Sequence, residues 1–394
     1  MTHEVLSRVQ EMSGQFAAAA DETERLGKLS DESVKLLRQT GVMRMLLPTE
    51  YGGYAAHPRD YAETVMEVAK NCGSTGWVTG VVGAHPWEMA LMDRRLQDEV
   101  WGENPDTWIA SPYAVMGVAT AVDGGFKLSG RWSFSSGTDH CEWIFLGALL
   151  GDATGAPVMP PTVMHVVLPR KDYTIVDDSW DVIGLQGTGS KDIIVDGAFI
   201  PAYRTIEMDA VAAGELAAER AGRTETVYKL PFWSMFPLGI TAAVIGIAEG
   251  ALAAHLDYQR DRVTAMGTLI KDDPIVLSAI SEAAADIAAS RTQLLDGISR
   301  LYDLADAGKP ISFEDRSIVR RNQIRCAWRA VEAVDQIFAR SGGNAARRHN
   351  VMQRFWRDAH VGLQHAIHTP GSLYHSTALT TMGIEPEGPL RMMI

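Results

Sequence analysis

Apolar positions in the first hundred residues recur at helical spacing. In DESVKLLRQTG, Val34 and Leu37 lie three apart, Ser30 stands where an N-cap is needed, and Gly41 can close the helix in a left-handed cap. After a loop carrying Pro48 and the pair Gly52-Gly53, Tyr61, Val65, Met66 and Val68 mark a second helix, which Gly73, Ser74 and Gly76 break. WVTGVVGAHPWEMALM is then apolar almost all round, as in a helix or helix pair buried on every side. From about 106 to 215 the period shortens to that of strands: WIASPYAVMGVATAV, GGFKLSGRWSFSS, WIFLGALL, TVMHVVLPR and IIVDGAFIP are short runs separated by Gly, Pro and Asp, which predicts a β-barrel or sandwich. GDATGAPVMPP reads as a loop, and the polar, alanine-rich MDAVAAGELAAERAGRTE as a surface excursion or lid. Long helical patterns return from about 236 to 368 and suit an up-down four-helix bundle. The resulting division is a helical domain over 1–105, a β domain over 106–215 and a helical bundle over 216–394.

Within the β region, LSGRWSFSSG is the stretch with chemical content. Phe126, Leu128, Trp132 and Phe134 fall at period two after the turn Asp123-Gly124-Gly125, and the strand then breaks into Ser135-Ser136-Gly137. A hydroxyl-bearing loop beside aromatic rings is a ledge for a planar heteroaromatic cofactor. A hairpin with core aromatics and solvated serines accounts for the same residues. His85 and Trp87 sit in the driest segment, where a hydrogen-bonded core histidine and a catalytic one both fit.

Composition narrows the function classes. Hydrophobic residues make up 46% and charged residues 22% of 394, an ordinary globular balance. The net charge of -13, with basic residues dispersed apart from Arg320-Arg321 and Arg347-Arg348, argues against nucleic-acid binding. Cys72, Cys141 and Cys326 lie far apart without a CxxC pair, which suits a reducing compartment and offers no metal framework. The N-terminal residues lack a signal-peptide core, and no run of about 18 apolar residues occurs, so a cytoplasmic protein without a membrane segment is expected.

Helices, then a β domain, then a four-helix bundle is the order of the acyl-CoA dehydrogenase fold. GVMRMLLPTEYGG resembles that family's early PxxYGG signature, GLQGTGSKDIIVDGAFIP its glycine- and serine-rich turn and following strand, and SGGN with RFWRDA its late bundle elements. Dehydrogenases of this fold place a catalytic glutamate soon after RDA. Here HVGLQHAIHTPGSLYH follows, with His365 near the corresponding place and no carboxylate; Glu249, Asp257 and Asp261 are poor substitutes. GSTGWVTGVVGAHPW, EVWGENP, WSFSSGTDH and QRFWRDAHVGLQHA resemble instead the flavin-dependent aromatic hydroxylases of this fold, the oxygenase components of two-component monooxygenases, and most of all those acting on a phenolic seco-steroid; the likeness is looser after His368.

That resemblance implies reduced flavin, FMN in preference to FAD, which takes up dioxygen at C4a and passes an oxygen atom to a phenolic or polycyclic aromatic ring. It implies a separate flavin reductase, since no GxGxxG lies between a strand and a helix to bind a nicotinamide, and a homotetramer. Ser136 is expected to reach flavin N5, with Phe134 and Trp132 as the wall behind the ring. Ala110, Ser111, Tyr113 and Ala114 are expected along the pyrimidine edge, and Arg262 at a flavin phosphate of a neighbouring subunit, a surface ion pair being its plainer reading. His365 is the expected base for the phenolic proton and His85 the second candidate; His368 and His360 are weaker, His360 pointing outward. Trp77, Trp87, Trp143, Phe232 and His368 are candidates for the substrate pocket, with core packing as the competing role. An acyl-CoA dehydrogenase or nitroalkane-oxidase-like enzyme is the alternative, and a non-catalytic helical scaffold a further one.

Overall fold

The computed structural model describes residues 2–263 and 267–394. Helices run from Glu4 to Trp101, among them α1 (Pro58–Asn71), α2 (Gly73–Val82) and α3 (His85–Met89). The cap signals act as read: the Ser30 hydroxyl accepts from Ser33 N–H, and Gly41 closes its helix at φ 78°. Gly73 does more than end a helix. It opens α2, and a Cβ there would stand 2.6 Å from the Asp358 carboxylate, so the glycine makes room for a bundle residue.

Strands β1 (Ile109–Ala110), β2 (Val115–Val122), β3 (Gly125–Ser135), β4 (Trp143–Gly151), β5 (Val163–Pro169), β6 (Thr174–Val176), β7 (Lys191–Pro201) and β8 (Thr205–Glu207) form one sheet. Its order is β6-β7-β3-β2-β4-β5-β8, with β1 beside β4. β5 also approaches β7, although three strands separate them along the path, so the sheet curls back on itself in the manner of a barrel.

The bundle consists of α4 (Phe232–Arg260), α5 (Pro274–Asp306), α6 (Phe313–Phe338) and α7 (Val351–Leu363). α4 begins at Phe232, earlier than the sequence pattern suggests, and continues through Pro237. It is long and apolar enough to cross a membrane, yet 83% of its most apolar window is buried inside the fold, where it packs against α1, α2 and the other bundle helices. Its apolarity therefore serves the core. The excursion at 208–225 forms two short helices, Met208–Ala212 and Glu215–Arg220. It is not free to swing: the buried Arg223 guanidinium donates to Ala90 O (2.9 Å), to Glu50 Oε1 (2.5 Å) and to Gln97.

Candidate functional site

The loop after β3 carries Ser136. Regular alternation would put Trp132 and Phe134 on one face, but the β3–β7 register shifts between Trp132 and Ser135 and Phe134 takes φ 69°. The two rings part. Trp132 is fully buried, its indole N–H donates to Gly147 O (2.8 Å), and its ring fills space left by Gly117 and Gly130. The expected wall is thus half core: Phe134 alone remains at the surface, 70% exposed, edge-on to Trp180. A large exposed aromatic held in the left-handed region is the kind of outlier that accompanies a binding site.

Ser136 itself is buried and heads a chain of hydroxyls. Trp77 Nε1 donates to Ser136 Oγ (3.2 Å), Ser136 Oγ lies 2.7 Å from Ser190 Oγ, and Ser190 Oγ lies 2.7 Å from Thr188 Oγ1. The Thr188 hydroxyl donates to Leu185 O (2.8 Å). Each hydroxyl has one hydrogen, so Ser190 donates to Thr188 and Ser136 donates to Ser190. With its own hydrogen given to Ser190, Ser136 can meet any further group only as an acceptor. Its loop is tied to this turn by Gly137 N–H on Thr188 O (2.8 Å), and the turn is clasped to the bundle by Asp358, whose carboxylate accepts from Leu185 N–H (2.6 Å). Burial pushes the Asp358 carboxyl up to about 6 despite that bond. Neither Ser190, Thr188 nor Asp358 stood out in the sequence, beyond the serine-rich turn and the RDA element that contain them.

Trp77, which donates to Ser136, also touches His365, in the turn after α7. Its Nδ1 accepts from Ile367 N–H (3.3 Å), which leaves the hydrogen on Nε2. The ring lies 5.9 Å from Trp77 and 6.2 Å from Phe236, centroid to centroid. Burial, and then the charge of Arg320, lower its pKa to about 4, so the imidazole is neutral at pH 7. Arg320 is entirely buried and donates to Ile367 O (3.1 Å), Gln323 Oε1 (2.6 Å) and Met393 O (3.1 Å).

A second buried imidazole belongs to the same group of rings. His85, on α3, meets Ile109 O through Nδ1 and Ser111 Oγ through Nε2 (2.7 Å). A carbonyl only accepts, so Nδ1 carries the hydrogen and the Ser111 hydroxyl donates to Nε2. Burial lowers His85 to about 4 as well. Between the two histidines lies a run of aromatic rings: Tyr113 is 5.7 Å from His85 and 5.1 Å from Phe236, and Phe236 stacks on Phe232 at 5.4 Å and 13°. Phe236 entered because α4 starts one turn earlier than read from the pattern, which makes Phe232 and Phe236 neighbours at i, i+4. Tyr113, expected to serve through its backbone, turns its side chain inward, and its hydroxyl donates to the buried Glu88.

Other expected site residues lie elsewhere. Ala110 is buried in β1 and Ala114 is exposed. Trp87 is buried behind Phe232, with its indole on Val227 O (2.7 Å). Trp143 lies under the Arg204 guanidinium. His368 is a core histidine, bonded to Thr241 Oγ1 (3.2 Å) and Gly362 O (3.3 Å). His360 sits outside on Trp356 and Asp335. Arg262 donates to Gln259 Oε1 (3.1 Å) and Ser341 O (2.7 Å), while Glu249 pairs with Arg291 (3.1 Å) and Asp257 with Arg260 (2.8 Å).

The ledge fits a flavin. Besides the Ser136 acceptor and the exposed Phe134 ring, Ser135 Oγ, Thr138 Oγ1 and His140 Nε2 are buried in the same loop without a protein partner. Such orphaned groups are rare unless a ligand or water satisfies them.

Models of the acyl-CoA dehydrogenase N-terminal and C-terminal domains match residues 3–90 and 238–370. A pigment production hydroxylase of Rhodococcus erythropolis is 52% identical over the whole of both chains. HsaA, the oxygenase subunit of a flavin-dependent monooxygenase from Mycobacterium tuberculosis, is 41% identical over 97% of this chain and 96% of its own; a crystal structure of HsaA superposes with a TM-score of 0.92, at 39% identity and 99% coverage of both. The oxygenase component of an FADH2-dependent resorcinol hydroxylase from Rhizobium sp. is 30% identical over 98% of this chain and 95% of its own. With these likenesses along its length, the chain belongs to the flavin-dependent monooxygenases of the acyl-CoA dehydrogenase fold, among their oxygenase components.

Proposed function

We propose that this oxygenase hydroxylates a phenolic or polycyclic aromatic compound lying between His85 and His365. The carrying observation is the run of rings that joins two neutral imidazoles: His85 touches Tyr113, Tyr113 touches Phe236, and Phe236 and Trp77 flank His365, where a carbon-acid dehydrogenase would need a carboxylate. The substrate phenol is placed on the Ser111 hydroxyl, which passes its proton to His85 Nε2; loss of that proton enriches the ring for attack by an electrophilic oxygen. His365, expected from the sequence as the base, takes the opposite end in this reading, because its Nδ1 is occupied by Ile367 N–H and its Nε2 carries the hydrogen; there it holds the reacting ring and excludes water.

Bound reduced flavin supplies the activation of dioxygen. Ser136, acting as acceptor, would suit the N5–H that reduced flavin has and oxidised flavin lacks, and Phe134 would hold the ring from outside. FMN is preferred over FAD in this reading. Arg262 is assigned to the flavin phosphate of a neighbouring subunit in a homotetramer, an assembly supported by exposed apolar side chains on the bundle, Ile275 and Leu277 on α5 and Trp328 on α6. The reductase is a separate protein that delivers reduced flavin by diffusion in the cytoplasm.

The test mixes the protein with photoreduced FMN or FAD, 18O2 and a panel of phenols. One 18O atom in the hydroxylated product is expected. His365→Ala should consume oxygen as before while releasing hydrogen peroxide in place of most of the product; full coupling in that variant removes His365 from the reaction, and no labelled product with any phenol removes the substrate class.

A further inference from the structure

Behind His85 lies a buried group of side chains that the reaction as described does not use. Glu88 is on α3 with His85, three residues on, so the two share a helix face. Its carboxylate is 1% exposed, and each oxygen has a partner: Oε1 is 2.6 Å from His165 Nδ1, on β5, and Oε2 accepts from the Tyr113 hydroxyl. His165 is equally buried, and the Tyr113 and His165 rings lie 4.5 Å apart. A carboxylate so deep in an apolar region carries a large desolvation cost, which these two partners offset only in part.

We propose that Glu88 is the counter-charge that lets His85 accept the proton of a bound phenol through the Ser111 hydroxyl. The inference rests on the phenol-at-Ser111 reading above. The substrate O–H bond breaks as its hydrogen passes to Ser111 Oγ, while the Ser111 hydrogen passes to His85 Nε2; one proton moves and the phenolate and imidazolium are left as a pair. An imidazolium so fully buried needs an anion besides the phenolate. Glu88 favours the charged form of His85 and His165 opposes it, and these are the charged or titratable groups that act on it. Tyr113 and His165 hold the carboxylate in place from the loop after β1 and from β5, which makes them positioning residues.

The probe is 4-nitrophenol, bound anaerobically to the protein with reduced flavin, its phenolate-to-phenol ratio read from the phenolate absorbance across pH. Glu88→Gln keeps the shape and removes the charge, and should lower the ratio about tenfold, one unit of apparent pKa. Glu88→Asp keeps the charge and spoils the fit, and should stay within about threefold of wild type. A purely structural role for Glu88 predicts the reverse order, and that result would overturn the proposal, as would an unchanged ratio in Glu88→Gln. Where Glu88→Gln does not fold, Tyr113→Phe decides: it retains the charge and must keep the ratio, whereas a tenfold fall assigns the effect to the hydroxyl contact. Ser111→Ala separates the two claims. If it leaves the bound ratio at the wild-type value, the anchoring of phenols at Ser111 fails, and the role of Glu88 with it; if it lowers the ratio while Glu88→Gln does not, only the counter-charge is lost.

Discussion

Ser136 Oγ lies 2.7 Å from Ser190 Oγ, and the direction of that hydrogen bond is fixed from two residues beyond it. Thr188 gives its hydrogen to Leu185 O, Ser190 gives its own to Thr188, and Ser136 must give its own to Ser190. A serine so constrained distinguishes ligand donors from ligand acceptors. Ser190→Ala should free the Ser136 hydrogen and lower the preference for reduced over oxidised flavin by about fivefold, the worth of one hydrogen bond of about 1 kcal/mol. Anaerobic and aerobic flavin titrations read the two dissociation constants, and an unchanged ratio would show that the hydroxyl chain does not set the preference.

Trp132 and Phe134 should respond to mutation in opposite ways. Trp132→Phe gives up the bond to Gly147 O and leaves a void against Gly117 and Gly130, so unfolding by denaturant should show a loss of about 2–3 kcal/mol. Bound flavin should keep its absorbance spectrum. Phe134→Ala, at an exposed position, should change stability by about 0.5 kcal/mol or less while weakening flavin binding. A flavin affinity unaltered by Phe134→Ala would detach that ring from the cofactor.

What the sequence disclosed was mostly local. Ser30 and Gly41 are read correctly because a cap is decided within a few residues, and the change of period from helix to strand needs only a short window. The site is made of distant pairs: Glu88 meets His165 across 77 positions, Ser136 meets Ser190 across 54, and Leu185 meets Asp358 across 173. No spacing rule reaches that far. His85 could be read only as core or catalytic, and in the fold both its ring nitrogens are bonded, to Ile109 O and to the Ser111 hydroxyl. Trp132 and Phe134 were grouped by a period that a register shift interrupts, and Phe236 did not stand out because the helical pattern was read only from about 236, whereas the helix starts at Phe232.

Asp358 should show its burial as a pH dependence of stability. Its folded pKa, about 6, stands above the ordinary aspartate value of 3.8, so the folded state holds the proton more tightly and loses stability as pH rises between those values. Asp358→Asn removes the titration. Relative to wild type, the variant should therefore gain about 2 kcal/mol on going from pH 4 to pH 7. Thermal unfolding across that range measures the difference, and a gap that stays constant or closes with rising pH refutes the buried acid as its source.

His368 offers the opposite sign. Burial and the neighbouring His365 and Arg320 depress it to about 3, below its unfolded value of 6.5, so the folded state binds the proton less tightly and stability falls as pH drops from about 6.5 toward 3. His85, His255 and His365, each lowered to about 4, act in the same direction. His368→Gln can keep a contact to Thr241 without the titration. Its stability curve should be flatter than that of wild type between pH 4 and 6.5, and the substrate KM should stay within about threefold, because the ring is bonded into the core. A KM raised tenfold or more, with the acid limb of the stability curve unchanged, would return His368 to the substrate pocket and take it out of the core.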